Sequence, residues 1–333
     1  MTLGGPPFAS GREKRTVTAG DLRSSRPRIS AVVTTCADSP ALRSCVERLL
    51  DQAAVLHAEV LVAFNVAETD VAGSTAADLS GLGARVLFEP RPGKSNALNA
   101  AVAQARGSAV AFTDDDALPD EGWLEAITAP LLAEDDDVAG SGGPVLPVFP
   151  PGGPPDWFRE LLARTRSTFL GPYHFLGNEP LEYAETDFGA GLPFGASCAF
   201  RRDELLQHPY HPTLGPNRAT GLLGGEDTAL ALELLREGGR LRYVPAARVH
   251  HPVLPQRMTR AWVEHRHRVL GRETVELKRA LGEDVHEPET LRDHIRTCEG
   301  RGLRRLLRHP RHQYRRYLRR RMLEGMLEEV QRS

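Results

Sequence analysis

Three consecutive aspartates, Asp114-Asp115-Asp116, follow directly on the run Ala-Val-Ala-Phe-Thr at residues 109–113. A short apolar run bounded by turn signals reads as a buried strand. The triplet therefore stands where a strand leaves the core. Carboxylates this close raise one another's pKa unless a cation neutralises them. Hard divalent ions take carboxylate oxygens and commonly share their shell with substrate phosphates. The triplet thus points to a metal–diphosphate site at the carboxyl end of a strand. Read alone, it could equally be a solvated loop or a helix cap, so the surrounding chain has to decide.

Upstream, Arg91-Pro92-Gly93-Lys94-Ser95-Asn96-Ala97-Leu98-Asn99 leads into a helix carrying Ala97, Leu98, Ala101, Val102 and Ala105 on one stripe, which Gly107 stops. Residues 29–34, 59–64 and 85–89 read as three earlier strands. A helix follows the first, capped by Asp38 or Ser39 with Pro40 in its first turn, and buries Leu42, Val46, Leu49 and Leu50. A weaker helix or loop spans 71–82. Strands alternating with helices at this spacing predict an α/β fold: a Rossmann-like, doubly wound sheet with helices on both faces. Such sheets bind ligands at the carboxyl ends of their strands. Thr35, Asn65, the 91–94 turn and the aspartates all lie there.

Downstream, 119–134 is predicted helical, with Trp123, Ile127 and Leu131 four apart. Residues 140–155 break all periodicity with Gly and Pro and are followed by Trp157. A long irregular loop of this kind suits a lid or acceptor-binding element, or a plain linker. A strand within 190–202 carries Gly195-Ala196-Ser197, small residues where something approaches closely. Residues 221–225 approach Glu226-Asp227 at the start of a helix, and 240–244 form another strand.

The 333 residues, 41% hydrophobic and 26% charged, suit a soluble globular protein, and a net charge of −2 gives no global pull toward nucleic acid or anionic membranes. No apolar run approaches a membrane span, and no secretory leader is expected at residues 1–10. The four cysteines, 36, 45, 198 and 298, lack C-x-x-C spacing, against a zinc site or disulfide framework and for a reducing cytoplasm. Three regions are expected: a tail over 1–27, a catalytic domain over 28–252 divided near 118 into nucleotide and acceptor halves, and a basic helical extension over 253–333.

Gly93-Lys94-Ser95-Asn96-Ala97-Leu98-Asn99, Thr113 with the aspartates, Gly195-Ala196-Ser197 with Arg201-Arg202, Gly224-Gly225-Glu226-Asp227 and a late His250 occur in this order. From Ile29 to Arg272 the chain resembles the family 2 glycosyltransferases of GT-A fold. The resemblance implies transfer of one sugar from a nucleotide-diphosphate sugar, with inversion, and a divalent ion (Mn2+ or Mg2+). It places Asp114, with Asp115, and Thr35 at the ribose and base. It places Asp116 and His250 on the metal, with His251 structural, and Asp227 as catalytic base with Glu226 holding the acceptor or loop. Asn65 departs from the pattern, standing where an aspartate often reads the base.

Physical chemistry agrees with these roles. An acceptor hydroxyl needs a carboxylate to take its proton during attack, and Asp227 at a helix N-terminus is expected to stay ionised. Lys94 and Arg91 are candidates for the diphosphate. Trp157, Gly195 and Ala196 are candidates for the acceptor, which could be a glycan, a lipid-linked sugar or a small molecule. Each residue also has a structural alternative, helix capping for Glu226 and Asp227 above all. Gln256, Arg260 and Trp262 approach the signature of processive synthases at the wrong spacing, so single additions are expected. The arginine-rich stretch 301–321 suits peripheral contact with anionic lipid or packing on the catalytic domain, and less well nucleic acid. A nucleotidyltransferase, which would need a Gly-rich basic loop after residue 34, and a non-catalytic nucleotide-sugar binder are the alternatives.

Overall fold

The computed structural model describes residues 27–36, 40–68, 73–133, 137–165, 173–185, 191–299 and 310–332. Residues 1–26 of the expected tail, the cap candidates Asp38 and Ser39, and residues 301–309 of the arginine-rich stretch lie outside the described residues.

Strand β1 (Ile29–Thr35) is buried along its whole length. It runs parallel to β2 (Glu59–Phe64) on one side and β4 (Ala109–Asp114) on the other, with β3 (Arg85–Phe88) beyond β2. The sheet continues past β4 through antiparallel β9 (Cys198–Arg201), β6 (Val138–Gly142), β10 (Arg240–Tyr243) and β8 (Leu181–Glu182), eight strands in all. In register, Thr34 faces Asp114 and Thr35 faces Phe64. The ends of β1, β2 and β4 therefore lie level. A second sheet orders β5 (Leu118–Pro119), β11 (Val249–Pro252) and β7 (Val145–Val148).

Successive side chains of a strand point to opposite faces, and both faces here are apolar. Ala31, Val33, Val62 and Ala111 pack on Leu42, Val46 and Leu49 of α1 (Pro40–Leu56) and on Trp123 and Ile127 of α4 (Trp123–Leu132). Val32, Leu61, Val110 and Phe112 pack on α3 (Lys94–Gln104) and on Leu230 and Leu234 of α7 (Glu226–Arg236). The weak segment at 71–82 is helical as α2 (Gly73–Gly81).

Two expectations are corrected. The helix expected from 119 begins at Trp123, because 118–119 pair with β11 as a strand. The irregular loop at 140–155 contains β6 and β7. Its glycines mark close packing: a Cβ on Gly140 would lie 2.4 Å from the Phe200 ring, and one on Gly143 2.0 Å from the Ala247 carbonyl oxygen. Gly-rich sequence is then what those strands require.

Around this core lie α5 (Asp156–Thr165), α6 (Arg202–Gln207), α8 (Arg260–Ala280), α9 (Pro288–Glu299) and α10 (Pro310–Val330). The Arg260 guanidinium sits 5.0 Å from the Trp157 ring and 4.9 Å from the Tyr314 ring, joining α5, α8 and α10. Leu318, Leu323 and Met326 of α10 are buried. Among the described residues no helix is long and apolar enough to cross a membrane.

Trp123 is fully buried, and its indole N–H donates to Ser197 Oγ at 3.0 Å, which donates in turn to the Ala247 carbonyl at 3.0 Å. Trp123→Ala should cost about 3–5 kcal/mol of unfolding free energy, read from the urea midpoint at unchanged slope. A loss under about 1 kcal/mol would contradict this packing.

Candidate active site

The level strand ends open into a cavity of about 490 Å³. On one wall, Asp114 ends β4 with one oxygen 2.6 Å from Lys94 Nζ and the other 3.5 Å from His251 Nε2. His251 Nε2 is also 3.1 Å from Asp116 Oδ1. Thr35 Oγ1 donates to Asp115, fixing the middle carboxylate toward β1. Ligand atoms of Asp114, Asp116 and His251 all lie within 4.8 Å of one another. Two hard carboxylate oxygens and one imidazole nitrogen form a donor set suited to a divalent ion such as manganese or magnesium.

The histidine in this group is not the expected one. Strand β11 alternates faces, so Val249 and His251 turn inward while His250 turns out, its Nε2 3.1 Å from Asp120 Oδ1. The alternation was readable from the buried, apolar Val249. The pairing of β11 with β5 was not.

Lys94 also departs from expectation. Gly93, at φ 115°, caps α3 and donates its N–H to Asn65 Oδ1 at 2.9 Å. The next residue, Lys94, then reaches inward. Its ammonium lies between Asp114 and Glu226 Oε1, the latter at 3.7 Å. It joins the two acidic groups of the cavity rather than standing open to a phosphate.

The opposite wall is the N-terminus of α7. Gly225, at φ 101°, turns the chain so that Glu226 and Asp227 enter from the first turn. Asp227 Oδ2 accepts the Gly195 N–H at 2.8 Å, and Oδ1 accepts from Thr228 N at 2.7 Å. Gly195 therefore orients Asp227, and Ala196 is anchored through its carbonyl to Thr113 Oγ1 at 2.9 Å. Both line the cavity. Glu226 is buried, and its Oε2 has no hydrogen-bond partner among the described residues.

Three other expected residues fall differently. Arg91 is exposed and forks onto Glu89, with Nη2–Oε2 at 2.7 Å, outside the cavity lining. Trp157 lies in the stack with Arg260 and Tyr314, also outside it. Asn65 lines the cavity, but its amide donates to the carbonyls of Glu89 and Arg91 and shapes the turn before Lys94. In their place, Arg257, Trp262 and Arg266 of the C-terminal segment line the cavity. In the sequence Trp262 stood out only beside Gln256 and Arg260, at the wrong spacing for a synthase signature.

Burial and crowding set the protonation states. Burial alone would raise the Asp114 pKa, but the Lys94 ammonium and His251 hold it well below the carboxylate range. Burial, then the neighbouring aspartates, push Asp115 and Asp116 up. Burial also raises Asp227, against the hydrogen bond from Gly195, so the helix N-terminus does not by itself hold this carboxylate at its ordinary value. Burial and the charge of Asp227 push Glu226 up to about 8.

The cavity therefore opposes a metal-competent cluster and a paired acid–carboxylate group. The sequence model described as Glycosyl transferase family 2 matches residues 30–204, over half of the chain. The chain belongs to glycosyl transferase family 2. Within this setting, it is 28% identical over 209 residues to the succinoglycan biosynthesis protein ExoM of Rhizobium meliloti (strain 1021), with 60% of each chain covered. It thus spans about 60% of that relative's length. The fold is similar to the mannosyltransferase PcManGT of Pyrobaculum calidifontis, solved with GDP-Man and Mn2+: TM-score 0.57, 16% identity, 92% of this chain and 88% of that one. It is also similar to GalNAc-T7, solved with UDP, GalNAc and Mn2+: TM-score 0.50, 15% identity, 81% and 54% covered. These likenesses carry the GT-A architecture.

A carboxyl at about 8 in the fold and at its ordinary 4.5 in the unfolded chain makes the fold hold a proton that the unfolded chain releases. The stability this supplies is full below about pH 4.5 and is lost as pH rises through about 8. In the presence of EDTA, the melting midpoint of the wild type should fall more between pH 5 and 8 than that of Glu226→Gln. Equal slopes would contradict the buried, protonated state.

Proposed function

We propose that this chain is a metal-dependent, inverting glycosyltransferase that moves one sugar per encounter from a nucleotide-diphosphate sugar to an acceptor hydroxyl. The observation that carries the reading is the opposition, across one cavity, of Asp114, Asp116 and His251 to Asp227. A divalent ion held by the first three would stabilise charge on the leaving nucleoside diphosphate.

Asp227, steadied by the Gly195 and Thr228 amides, takes the proton of the acceptor hydroxyl as its oxygen attacks the anomeric carbon. The bond from that carbon to the diphosphate oxygen breaks, and its electron pair leaves on the nucleoside diphosphate. Attack opposite the leaving group inverts the anomeric centre. Thr35 and Asp115, at the ends of β1 and β4, are assigned to the nucleoside. Arg257 and Arg266 are assigned to anionic oxygens on the outer rim, where guanidinium forks bind well. Glu226, kept protonated by its surroundings, can donate to an acceptor oxygen beside Asp227.

A glycan acceptor is favoured, since the relative ExoM is named for the biosynthesis of a polysaccharide. Leu318, Leu323 and Met326 are buried within the fold, which supports packing rather than lipid contact for that part of α10.

Thermal stability against UDP, GDP, dTDP and CDP, each with and without manganese, tests the donor site. One nucleotide at a hundred times its dissociation constant should stabilise the fold by about 2.7 kcal/mol, only with metal. Asp116→Ala and His251→Ala should lose that response, and His250→Ala should keep it. Loss in His250→Ala with retention in His251→Ala would reverse the assignment of the ligand.

The base is tested separately. Asp227→Asn should keep the metal-dependent nucleotide response while its turnover of the sugar nucleotide drops about 10²–10⁴-fold. Turnover within threefold of wild type would remove Asp227 from the mechanism.

A further inference from the structure

The geometry points to α10 as a positioning element for the acceptor side of the cavity, acting through Glu329 of α10 on Arg272 of α8, with Glu273 of α8 as a second tether of the same turn. The reading rests on the proposed transferase activity only for its kinetic readout.

Residues 214–225 form the turn between the donor wall and the two acids of α7, and Pro216, Leu223 and Gly224 line the cavity. One side of the turn is tied to α3: Lys94 N donates to the Pro216 carbonyl at 3.0 Å and Ser95 Oγ to the Leu214 carbonyl at 2.7 Å. The other side is tied to α8. Arg272 Nη2 donates to the Thr220 carbonyl at 2.8 Å, and Leu223 N donates to Glu273 Oε1 at 2.8 Å.

Both tethering side chains are themselves held. Glu273 Oε2 accepts from Arg266 Nη1 at 2.7 Å, and Arg272 Nε donates to Glu329 Oε2 at 2.5 Å. Only 5% of the Glu273 side chain, 10% of Arg272, 11% of Arg266 and 12% of Glu329 is exposed. A buried guanidinium deprived of its carboxylate is strongly disfavoured, so Arg272 depends on Glu329. The partner is delivered by an unusually close helix crossing. A Cβ on Gly271 would lie 1.9 Å from the Met322 carbonyl oxygen, and one on Gly325 1.8 Å from that of Arg268. The backbones touch one turn before Glu329, and no described residue of α10 lines the cavity. The influence of α10 on the site is therefore relayed along Glu329, Arg272 and the Thr220 carbonyl to the turn.

The test uses the full chain. Hydrogen–deuterium exchange without ligand is compared in wild type, Glu329→Gln and Glu273→Gln, with the milder Glu329→Asp where Glu329→Gln does not fold. Exchange over 217–224 should rise at least tenfold in each variant, while β1 and β4 exchange as in wild type. With manganese and UDP-, GDP-, dTDP- or CDP-linked sugar, hydrolytic turnover should fall at least tenfold with KM for the sugar nucleotide within twofold. Faster exchange in 322–330 with 217–224 unchanged would overturn the proposal and leave α10 as a docked helix. If the wild type hydrolyses none of these sugar nucleotides, the transferase reading fails, and the exchange comparison still decides the relay.

Discussion

A half-buried lysine ammonium set among carboxylates holds the two halves of this site together. Lys94 reaches Asp114 at the end of β4 and Glu226 at the start of α7, elements separated by more than a hundred residues of sequence. A buried cation is costly unless it is paired, and so are the acids around it. Each therefore fixes the other's position. Removing the ammonium would leave Asp114, Glu226 and Asp227 facing one another in a partly dry cavity. The local backbone serves this contact: Gly93 takes the positive φ that opens α3, and the Lys94 and Ser95 bonds to residues 216 and 214 seat the 214–225 turn against the same helix end.

The C-terminal helices complete the cavity rather than merely cover the domain. Arg257, Trp262 and Arg266 supply its rim, and among the described residues several arginines behind them pair with acids of α8 and α10, as in Arg268 with Glu328 and Arg320 with Glu324. Composition alone made this region look like a basic surface. Among the described residues, Arg320 and Arg321 pair with Glu324 of their own helix, whereas Arg268–Glu328 and Arg272–Glu329 join α8 to α10; exposed pairs add little, and the buried Arg272–Glu329 pair constrains geometry most.

What was legible in the sequence was local. The first four strands were readable because each is a short β-branched or apolar run bounded by turn residues. Asp114–Asp116 and Glu226-Asp227 stood out as acids at the ends of such elements. Residues 138–148 were not readable as strands, because their glycines answer to Phe200, Leu241 and Ala247, all distant in sequence. The choice between His250 and His251 depended on which face of β11 meets the aspartates, a matter of pairing with β5 and β7. Arg91 and Trp157 looked available for ligands until the fold supplied Glu89 and the Arg260–Tyr314 stack.

The charge balance of the cavity bears on why a metal would be required at all. Asp114, Asp115, Asp116, Glu226 and Asp227 line it, against Lys94, His251, Arg257 and Arg266. Arg266 is already committed to Glu273, and Lys94 to the acids at its sides. A diphosphate entering beside three aspartates would meet repulsion that the Arg257 guanidinium, beside the Trp262 ring, would offset only in part. A divalent ion held by Asp114, Asp116 and His251 would offset that negative charge at the end of β4. In the proposed reaction the ion would sit at the end of β4 and the base Asp227 at the start of α7, so one cavity could hold a polyanion and a proton acceptor on separate elements.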